Sequence, residues 1–342
     1  MIVRARAPLR LGFGGGGSDL SPFCDRYGGF VLNATINLFV YAVLEQHEQG
    51  PVRFVAADRQ ESVEFEPDSE MPLRGPLALH QAVYRRIVRD YNAGRAIPVT
   101  LTTYSDVAAG SGLGSSSTLV VAMVEAFKEL LTLPLGEYDV AQLAYEIERI
   151  DAGMIGGRQD QYAATFGGFN FMEFNGGDRT IVNPLRINRN TINELEAALV
   201  VCNTGMPRDS EGIIRAQSSG VQHGDERSTE ATHKLKEEAV LMKEALLKGN
   251  IRRFADILAQ GWLNKKKTAP GVTNETLERI YEAAMDGGAY AGKVSGAGGG
   301  GFMMFVVDPV RRPDVFRRLH CQKVHPMTVQ FSEHGAIAWR LR

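Results

Sequence analysis

Hydrophobic and polar positions alternate through much of the first third of the chain. Residues 2–11 and 31–46 follow this pattern, and two shorter stretches, 52–58 and 62–67, continue it. A period of two places successive side chains on opposite faces of a strand. A further stretch of this kind, 98–107, runs directly into a glycine-rich segment. The pattern predicts five strands in this part of the molecule.

Elsewhere the hydrophobic residues recur every three or four positions, which is typical of amphipathic helices. This spacing predicts helices at 77–94, 118–133, 136–153, 226–248, 251–266, 275–288 and 312–320. Further strands are predicted at 167–174, 198–205 and 327–341, and a strand, turn and strand at 289–308. The fold class is therefore α/β, and a boundary near 186–196 separates a β-rich half from a more helical half.

Glycine is concentrated in three clusters, at 12–19, 110–117 and 295–302, which hold many of the chain's 37 glycines. The first and third match GxGxxG, a motif found in dinucleotide-binding proteins. That motif also requires a full crossover helix directly afterwards. The first cluster is followed by only a short segment, and the third by another predicted strand. A dinucleotide oxidoreductase is therefore disfavoured.

The central cluster lies between a predicted strand and a predicted helix. The first N–H groups of a helix lack intrahelical partners and carry partial positive charge, so they can bind phosphate. A serine in this position can instead only cap the helix, but three consecutive serines after a glycine loop favour phosphate binding. The predicted nucleotide-binding residues are Gly110, Ser111, Gly112, Gly114, Ser115, Ser116 and Ser117.

Candidate catalytic residues lie between the second and third clusters. Asp160 follows a glycine pair, is flanked by amides and precedes aromatic and small residues, so it is a candidate to accept a hydroxyl proton. Phosphoryl transfer also requires a divalent cation that bridges the phosphates. Ser116 and Glu148 offer oxygen ligands of the kind that Mg²⁺ prefers. Glu146 is expected on a solvated helix face.

Composition excludes several other classes of function. A formal net charge of −2 disfavours nucleic acid or an anionic membrane as the main partner. No hydrophobic stretch approaches the roughly 20 residues that span a bilayer. The three cysteines form no CxxC pair, and the seven histidines show no metal-ligand spacing. We expect a cytoplasmic monomer or homodimer.

Three motifs resemble those of the GHMP family of small-molecule kinases, and they occur in that family's order. They are APLRLGFGGGGSDL, AAGSGLGSSST and GKVSGAGGGGF. The resemblance implies an enzyme with a two-domain α/β fold, which uses ATP and Mg²⁺. Residues 1–190 would form a mixed-sheet domain with a left-handed crossover, and residues 191–342 a ferredoxin-like domain.

The resemblance also implies roles for individual residues. Asp160 matches the catalytic aspartate, and Arg10 the arginine near the transferred phosphate. Glu148 and Ser116 match the magnesium ligands, and Asp19 matches the acid that binds sugar hydroxyls. The other residues expected at the substrate site are Gly16, Gly17, Gly298 and Gly299.

Within the family, the motifs are most similar to those of kinases that phosphorylate the anomeric hydroxyl of a heptose 7-phosphate. Another sugar, such as fucose, galactose or a uronic acid, is the alternative acceptor, and a catalytically inactive nucleotide-binding sensor is less favoured. A phosphorylated acceptor needs cationic partners, for which Arg158 and the run 265–267, with Lys266 at its centre, are candidates. Residues 206–229 are expected to form a lid over the sugar.

Overall fold

The strands form two sheets, of eight and four members, in the part of the chain that the computed structural model describes. That part is residues 1–341 without 68, 70, 72, 74, 76, 178 and 207–209. The strands are β1 (Ile2–Gly14), β2 (Gly29–Gln46), β3 (Val52–Ala56), β4 (Glu61–Phe65), β5 (Val99–Ser105), β6 (Phe169–Phe174), β7 (Thr180–Pro184), β8 (Leu199–Asn203), β9 (Ala289–Val294), β10 (Phe302–Val307), β11 (His325–Met327) and β12 (Ile337–Arg340). The helices are α1 (Phe23–Tyr27), α2 (Ala78–Tyr91), α3 (Ser115–Leu131), α4 (Glu137–Glu146), α5 (Gln159–Phe166), α6 (Arg189–Ala198), α7 (Ser210–Gln222), α8 (Glu226–Leu247), α9 (Ile251–Lys265), α10 (Glu275–Asp286) and α11 (Arg312–Cys321).

The first sheet has the order β12-β1-β2-β5-β3-β4, and β6 and β7 extend it from β2. It is mixed, because β3 runs parallel to β5 while the other pairs are antiparallel. The alternation seen in the sequence places one face of β1, β2 and β5 in the core under α2 and α3. Helix α3 follows β5 in the chain, and the loop between them holds the glycines of the central cluster.

The second sheet has the order β11-β8-β10-β9, and all neighbours are antiparallel. Counted within this part of the chain, the order is 4-1-3-2, the arrangement of a ferredoxin-like sheet. Strand β10 is buried at every position. Met303 and Phe305 pack with α10 and α11, whereas Met304 and Val306 pack with α8 and α9. Since helices cover both faces, the strand is hydrophobic without alternation.

A shared hydrophobic core joins the two sheets. Leu9, Leu11 and Phe13 of β1 lie in the same cluster as Phe254 of α9 and Met304 of β10. The predicted α/β fold with a mixed first sheet and a separate second sheet is confirmed. The division at 190/191 stays a prediction, and β12, which lies beyond it in sequence, pairs with β1 of the first sheet.

Several element boundaries differ from those predicted. Helix α3 begins three residues before the predicted start, at Ser115. The helix predicted at 136–153 is shorter in the structure: α4 ends at Glu146, and a π-helical turn, Ile147–Asp151, follows it. The strand predicted at 327–341 is wrong over most of its length, because β11 ends at Met327 and β12 covers only Ile337–Arg340. Among the described residues, no helix combines the length and hydropathy needed to cross a bilayer.

Candidate active site

The central glycine cluster forms a tight loop that leads into α3. Gly110, Gly112 and Gly114 all have positive φ, at 77°, 86° and 80°. L-amino acids with a Cβ rarely adopt this conformation, so glycine suits all three positions. Gly114 caps the helix through its backbone, and Ser115, Ser116 and Ser117 form the first turn. The N–H groups of that turn have no acceptor within the helix and are therefore available to an anion.

The third glycine cluster packs directly against this loop. The N–H of Phe302 donates to the carbonyl of Ser111 at 2.8 Å. A Cβ at Gly301 would lie 2.3 Å from the same carbonyl oxygen, so a side chain there would displace the loop. Gly298 and Gly299, predicted at the substrate site, lie instead against Val272. The N–H of Gly299 donates to the Val272 carbonyl at 2.9 Å. A Cβ on Gly298 would lie 2.7 Å from the same carbonyl oxygen. These two glycines shape the turn.

Glu148 lies in the π-helical turn and has no solvent exposure. The hydroxyls of Ser116 and Ser117 donate to its two oxygens at 2.8 and 2.6 Å, and the Gln161 amide donates at 2.6 Å. Arg149 adds an ion pair at 3.2 Å. A carboxylate and a hydroxyl oxygen in contact, beside an anion-binding helix turn, fit a magnesium ion. Ser116 and Glu148 are thus brought together, as a metal pair requires.

Asp160 is the second residue of α5 and forms an ion pair with Arg10 of β1. Nε and Nη2 of Arg10 both lie 2.8 Å from Oδ1 of Asp160. Nη1 of Arg10 also donates to the carbonyl of Gly112 at 2.7 Å. A Cβ at Gly114 would lie 3.2 Å from Cγ of Asp160, so the carboxyl group lies directly against the loop of the central glycine cluster.

Asp19 is buried at the end of the first glycine cluster. Its Oδ1 accepts from the N–H of Gly17 and from the side-chain amide of Gln159, both at 3.1 Å. A Cβ on Gly157 would lie 1.9 Å from Oδ2, which explains a glycine at that position. These contacts place Asp19 at the start of α5, and it lines the same cavity as Asp160.

Two cavities meet at Asp160. The larger, of about 780 Å³, is lined by Gly110, Gly114, Ser115 and Ser116 of the central glycine cluster. The smaller, of about 70 Å³, is lined by Arg10, Gly16, Gly17, Asp19 and Lys265, among others. Asp160 lines both. Its carboxylate is therefore accessible from both cavities.

The two cationic candidates for a substrate phosphate lie apart. Arg158 lines a third cavity, of about 280 Å³, and its guanidinium donates to Asp25 at 3.0 Å and to the carbonyl of Asn175 at 3.3 Å. Lys266 turns away from the cavities and pairs with Glu278 at 3.1 Å. The lysine of the run that lines the smaller cavity is Lys265.

Sequence reasoning did not identify Lys293, Gln161 or Arg149 at the site. Lys293 lies within the third glycine motif, two residues before Ser295, whose hydroxyl accepts from Arg10 at 3.4 Å. A lysine in the middle of a hydrophobic strand was the available signal. Gln161 and Arg149 adjoin residues that were singled out, but they join the site through contacts with Glu148 that depend on the folded structure.

Comparison with known proteins agrees with this geometry. Residues 78–168 match the model of the GHMP kinases N terminal domain, and residues 242–325 match that of the GHMP kinases C terminal. The D-glycero-alpha-D-manno-heptose 7-phosphate kinase of Campylobacter jejuni is 46% identical over 339 residues, which cover 99% of each chain. The chain belongs to the GHMP kinase family.

Solved structures place this family member among sugar kinases. A D-glycero-D-manno-heptose 1-phosphate kinase from Bacteroides thetaiotaomicron superposes with a TM-score of 0.84 at 44% identity, covering 99% of both chains. The galactokinase of Lactococcus lactis has a TM-score of 0.75 at 17% identity, over 98% of this chain and 94% of its own, and shows the common fold. The predicted family and enzyme class are confirmed, and membership implies ATP as the phosphoryl donor. The roles of individual residues stay predictions.

Proposed function

We propose that this GHMP kinase transfers the terminal phosphoryl group of ATP to the anomeric hydroxyl of a heptose 7-phosphate. One observation supports transfer from the larger cavity to the smaller one: Asp160 lies between a large cavity with a phosphate loop and a small cavity with Asp19 and buried cations. The relative named as a heptose 7-phosphate kinase supports this acceptor, and the solved relative named as a heptose 1-phosphate kinase supports a heptose phosphate.

The larger cavity suits the nucleotide. Its volume of about 780 Å³ is within the range of small-molecule sites. Ser115, Ser116 and Ser117 form the first turn of α3, and their N–H groups are the positive end of the helix. These N–H groups would bind the phosphates of the nucleotide. Ser116 and Glu148 would hold Mg²⁺, which when bound neutralises phosphate charge during transfer.

The smaller cavity suits the acceptor. Asp19 is fixed by Gly17 and Gln159, so its carboxylate can accept from sugar hydroxyls without first having to become ordered. Arg10 engages Oδ1 of Asp160. Oδ2 of Asp160 then faces the acceptor hydroxyl, orients its oxygen and takes its proton as the bond to phosphorus forms.

Arg10 links the two halves of the reaction. It contacts Asp160 with two nitrogens and the Gly112 carbonyl of the phosphate loop with the third. Because its positive charge lies between the phosphate loop and the base, it also stabilises negative charge that develops there.

The three cysteines are all unpaired, which fits an enzyme that acts in a reduced cytoplasm.

The test is ADP release from ATP with Mg²⁺ against a panel of acceptors. Heptose 7-phosphate is expected to exceed fucose, galactose and uronic acids in kcat/KM by at least about 100-fold, since the site's polar groups would be left unpaired by the other sugars. The Asp160→Asn variant is the control for contaminating kinases. Equal turnover of an unphosphorylated sugar would keep the kinase and reject this acceptor, and ATP binding without turnover of any sugar would favour the sensor alternative.

A further inference from the structure

Two lysines are buried beside the first glycine cluster. Lys265, the last residue of α9, is 4% exposed, and Lys293, in β9, is 7% exposed. Nζ of Lys265 donates to the carbonyl of Gly16 at 2.9 Å, and Nζ of Lys293 donates to the carbonyls of Gly12 and Phe13 at 3.0 and 3.1 Å. Both ammonium groups line the acceptor-side cavity.

The backbone of the first cluster is shaped around Lys265. Gly17 has a φ of 106°, and a Cβ there would lie 3.3 Å from Nζ of Lys265. A residue with a side chain at position 17 would be strained and would also crowd the ammonium group. This glycine therefore keeps the lysine at the cavity wall.

A buried ammonium group that lacks partners is costly. Among the described residues, the recorded acceptor of Lys265 is the single carbonyl of Gly16, which leaves two of its three N–H donors for the cavity. Four charged side chains face the two lysines: Arg10, Asp19, Asp160 and Glu238. Each lysine also faces the other. Arg10 and Asp160 already neutralise each other.

The other cations near the acceptor already have strong partners. Arg149 donates to the carbonyl of Gly157 and pairs with Glu148. Arg158 donates to Asp25 and to the carbonyl of Asn175. Lys266 pairs with Glu278. Lys265 thus differs from these three in that a ligand can engage it without breaking an ion pair.

Resting on the proposed function, we propose that Lys265 binds the phosphate that the acceptor already carries, with the positive charge of Lys293 adjoining it. The two ammonium groups suit a compact oxyanion. Lys265 would then select phosphorylated sugars over neutral ones.

This role has a signature in proton uptake. Burial lowers the pKa of Lys265 to about 8, with Asp19 opposing that shift and Arg10 adding to it. Burial lowers the pKa of Lys293 to about 7; the charges of Lys265 and Arg10 lower it further, and that of Glu238 opposes them. A phosphate dianion in contact stabilises the protonated form and raises both pKa values. At pH 8 the protein should therefore take up about half a proton or more on binding.

The test is isothermal titration calorimetry of the full-length protein at pH 8, without ATP, in two buffers of different ionisation enthalpy. The probes are heptose 7-phosphate and the same heptose without phosphate. The variants are Lys265→Met, which keeps the aliphatic stem, Lys265→Arg, which keeps the charge, and Lys266→Met as the matched control. Thermal unfolding of each variant confirms that it is folded.

Lys265→Met is expected to weaken heptose 7-phosphate binding at least about tenfold and to remove the share of the proton uptake that Lys265 contributes, up to about half a proton, while affinity for the neutral heptose stays within about twofold. Lys265→Arg should recover part of the affinity, and Lys266→Met should match the wild type. Equal losses for both probes, or an unchanged affinity, would overturn the inference and leave the proposed function intact. A wild-type protein that binds no heptose 7-phosphate would overturn both.

Discussion

Two nitrogens of Arg10 lie 2.8 Å from the same oxygen of Asp160, although the residues are 150 positions apart in sequence. Asp160 keeps 22% of its side chain exposed, at the junction of the two cavities, while Arg10 is nearly inaccessible. The arrangement fixes one carboxylate oxygen and leaves the other toward the cavities. A carboxylate held in this way needs no reorganisation to act as the base that we propose.

Asp160→Asn is expected to lower kcat by about 10²–10⁴-fold, the usual contribution of a general base. The Michaelis constant for ATP should change little, because the phosphate loop and α3 do not depend on the carboxylate charge. Steady-state kinetics with both substrates varied measures the two effects separately. A variant that retains more than a tenth of wild-type turnover would show that Asp160 is not the base.

Glu148→Gln should raise the Mg²⁺ concentration for half-maximal activity by about tenfold or more. The substitution removes a ligand charge and turns an amide N–H₂ toward Ser116, Ser117 and Gln161, which all donate to the carboxylate. Magnesium titrations at fixed ATP measure the change.

The matched control for this variant is Glu146→Gln, two residues earlier. Glu146 was expected on a solvated face, and it lies partly exposed in an ion pair with Arg86 at 2.8 Å. Its substitution should leave the magnesium dependence unchanged. A similar magnesium curve for the two variants would count against Glu148 as a metal ligand.

Gly301→Ala is expected to raise the KM for ATP by about tenfold and to destabilise the protein by several kcal/mol. The new Cβ would lie 2.3 Å from the Ser111 carbonyl, so the phosphate loop must shift. Gly94→Ala is the control: its φ of 72° is similar to the 79° of Gly301, but a Cβ there meets no described atom within 4 Å. Chemical denaturation and ATP kinetics compare the pair, and equal effects would show that the contact with Ser111 is unimportant.

His80 should make the protein less stable in acid. Burial, aided by Arg59, lowers its pKa from 6.5 to about 3, and its Nε2 lies 2.7 Å from the Thr103 hydroxyl. Between these two values the unfolded chain binds a proton that the folded chain excludes, so the free energy of unfolding falls as the pH falls. The loss is about 2 kcal/mol from pH 6.5 to pH 5.

Denaturation at a series of pH values tests this effect. The curve for His80→Gln should fall less steeply with acid than that of the wild type. His47→Gln is the control, since His47 makes a similar contact with Thr100 at 3.0 Å but is exposed. Its curve should run parallel to the wild type, whereas a parallel curve for His80→Gln would show that the buried imidazole does not control the acid response.

The glycine clusters could be interpreted from sequence because backbone conformation and phosphate binding both restrict residue type. Gly110, Gly112 and Gly114 are glycines for local reasons, and local reasons are visible in a sequence. The choice between Lys265 and Lys266 was not visible: it depends on where α9 ends and which way its last turn faces. The π-helical turn that orients Glu148 also lacks a distinctive pattern, because its hydrophobic spacing continues that of α4.

The lid predicted at 206–229 is only partly covered by the structure. Residues 207–209 lie outside the described part of the chain, and α7 fills most of the remainder. Ile214 of α7 lines both the nucleotide-side and acceptor-side cavities. The position agrees with a cover over the sugar, and its movement stays a prediction.

The pairing of β12 with β1 also bears on how the protein is made. The ribosome releases β1 long before β12, yet the two strands share a register from Val3 with Arg340 to Arg6 with Ile337. This part of the β1 edge therefore stays without its partner strand until β12 has been synthesised, and an open strand edge is prone to association with other chains. The N–H of Leu341 donates to the carbonyl of Ile2 at 2.9 Å, so the contact between the two segments continues beyond the register. A nascent chain must keep β1 soluble until β12 arrives.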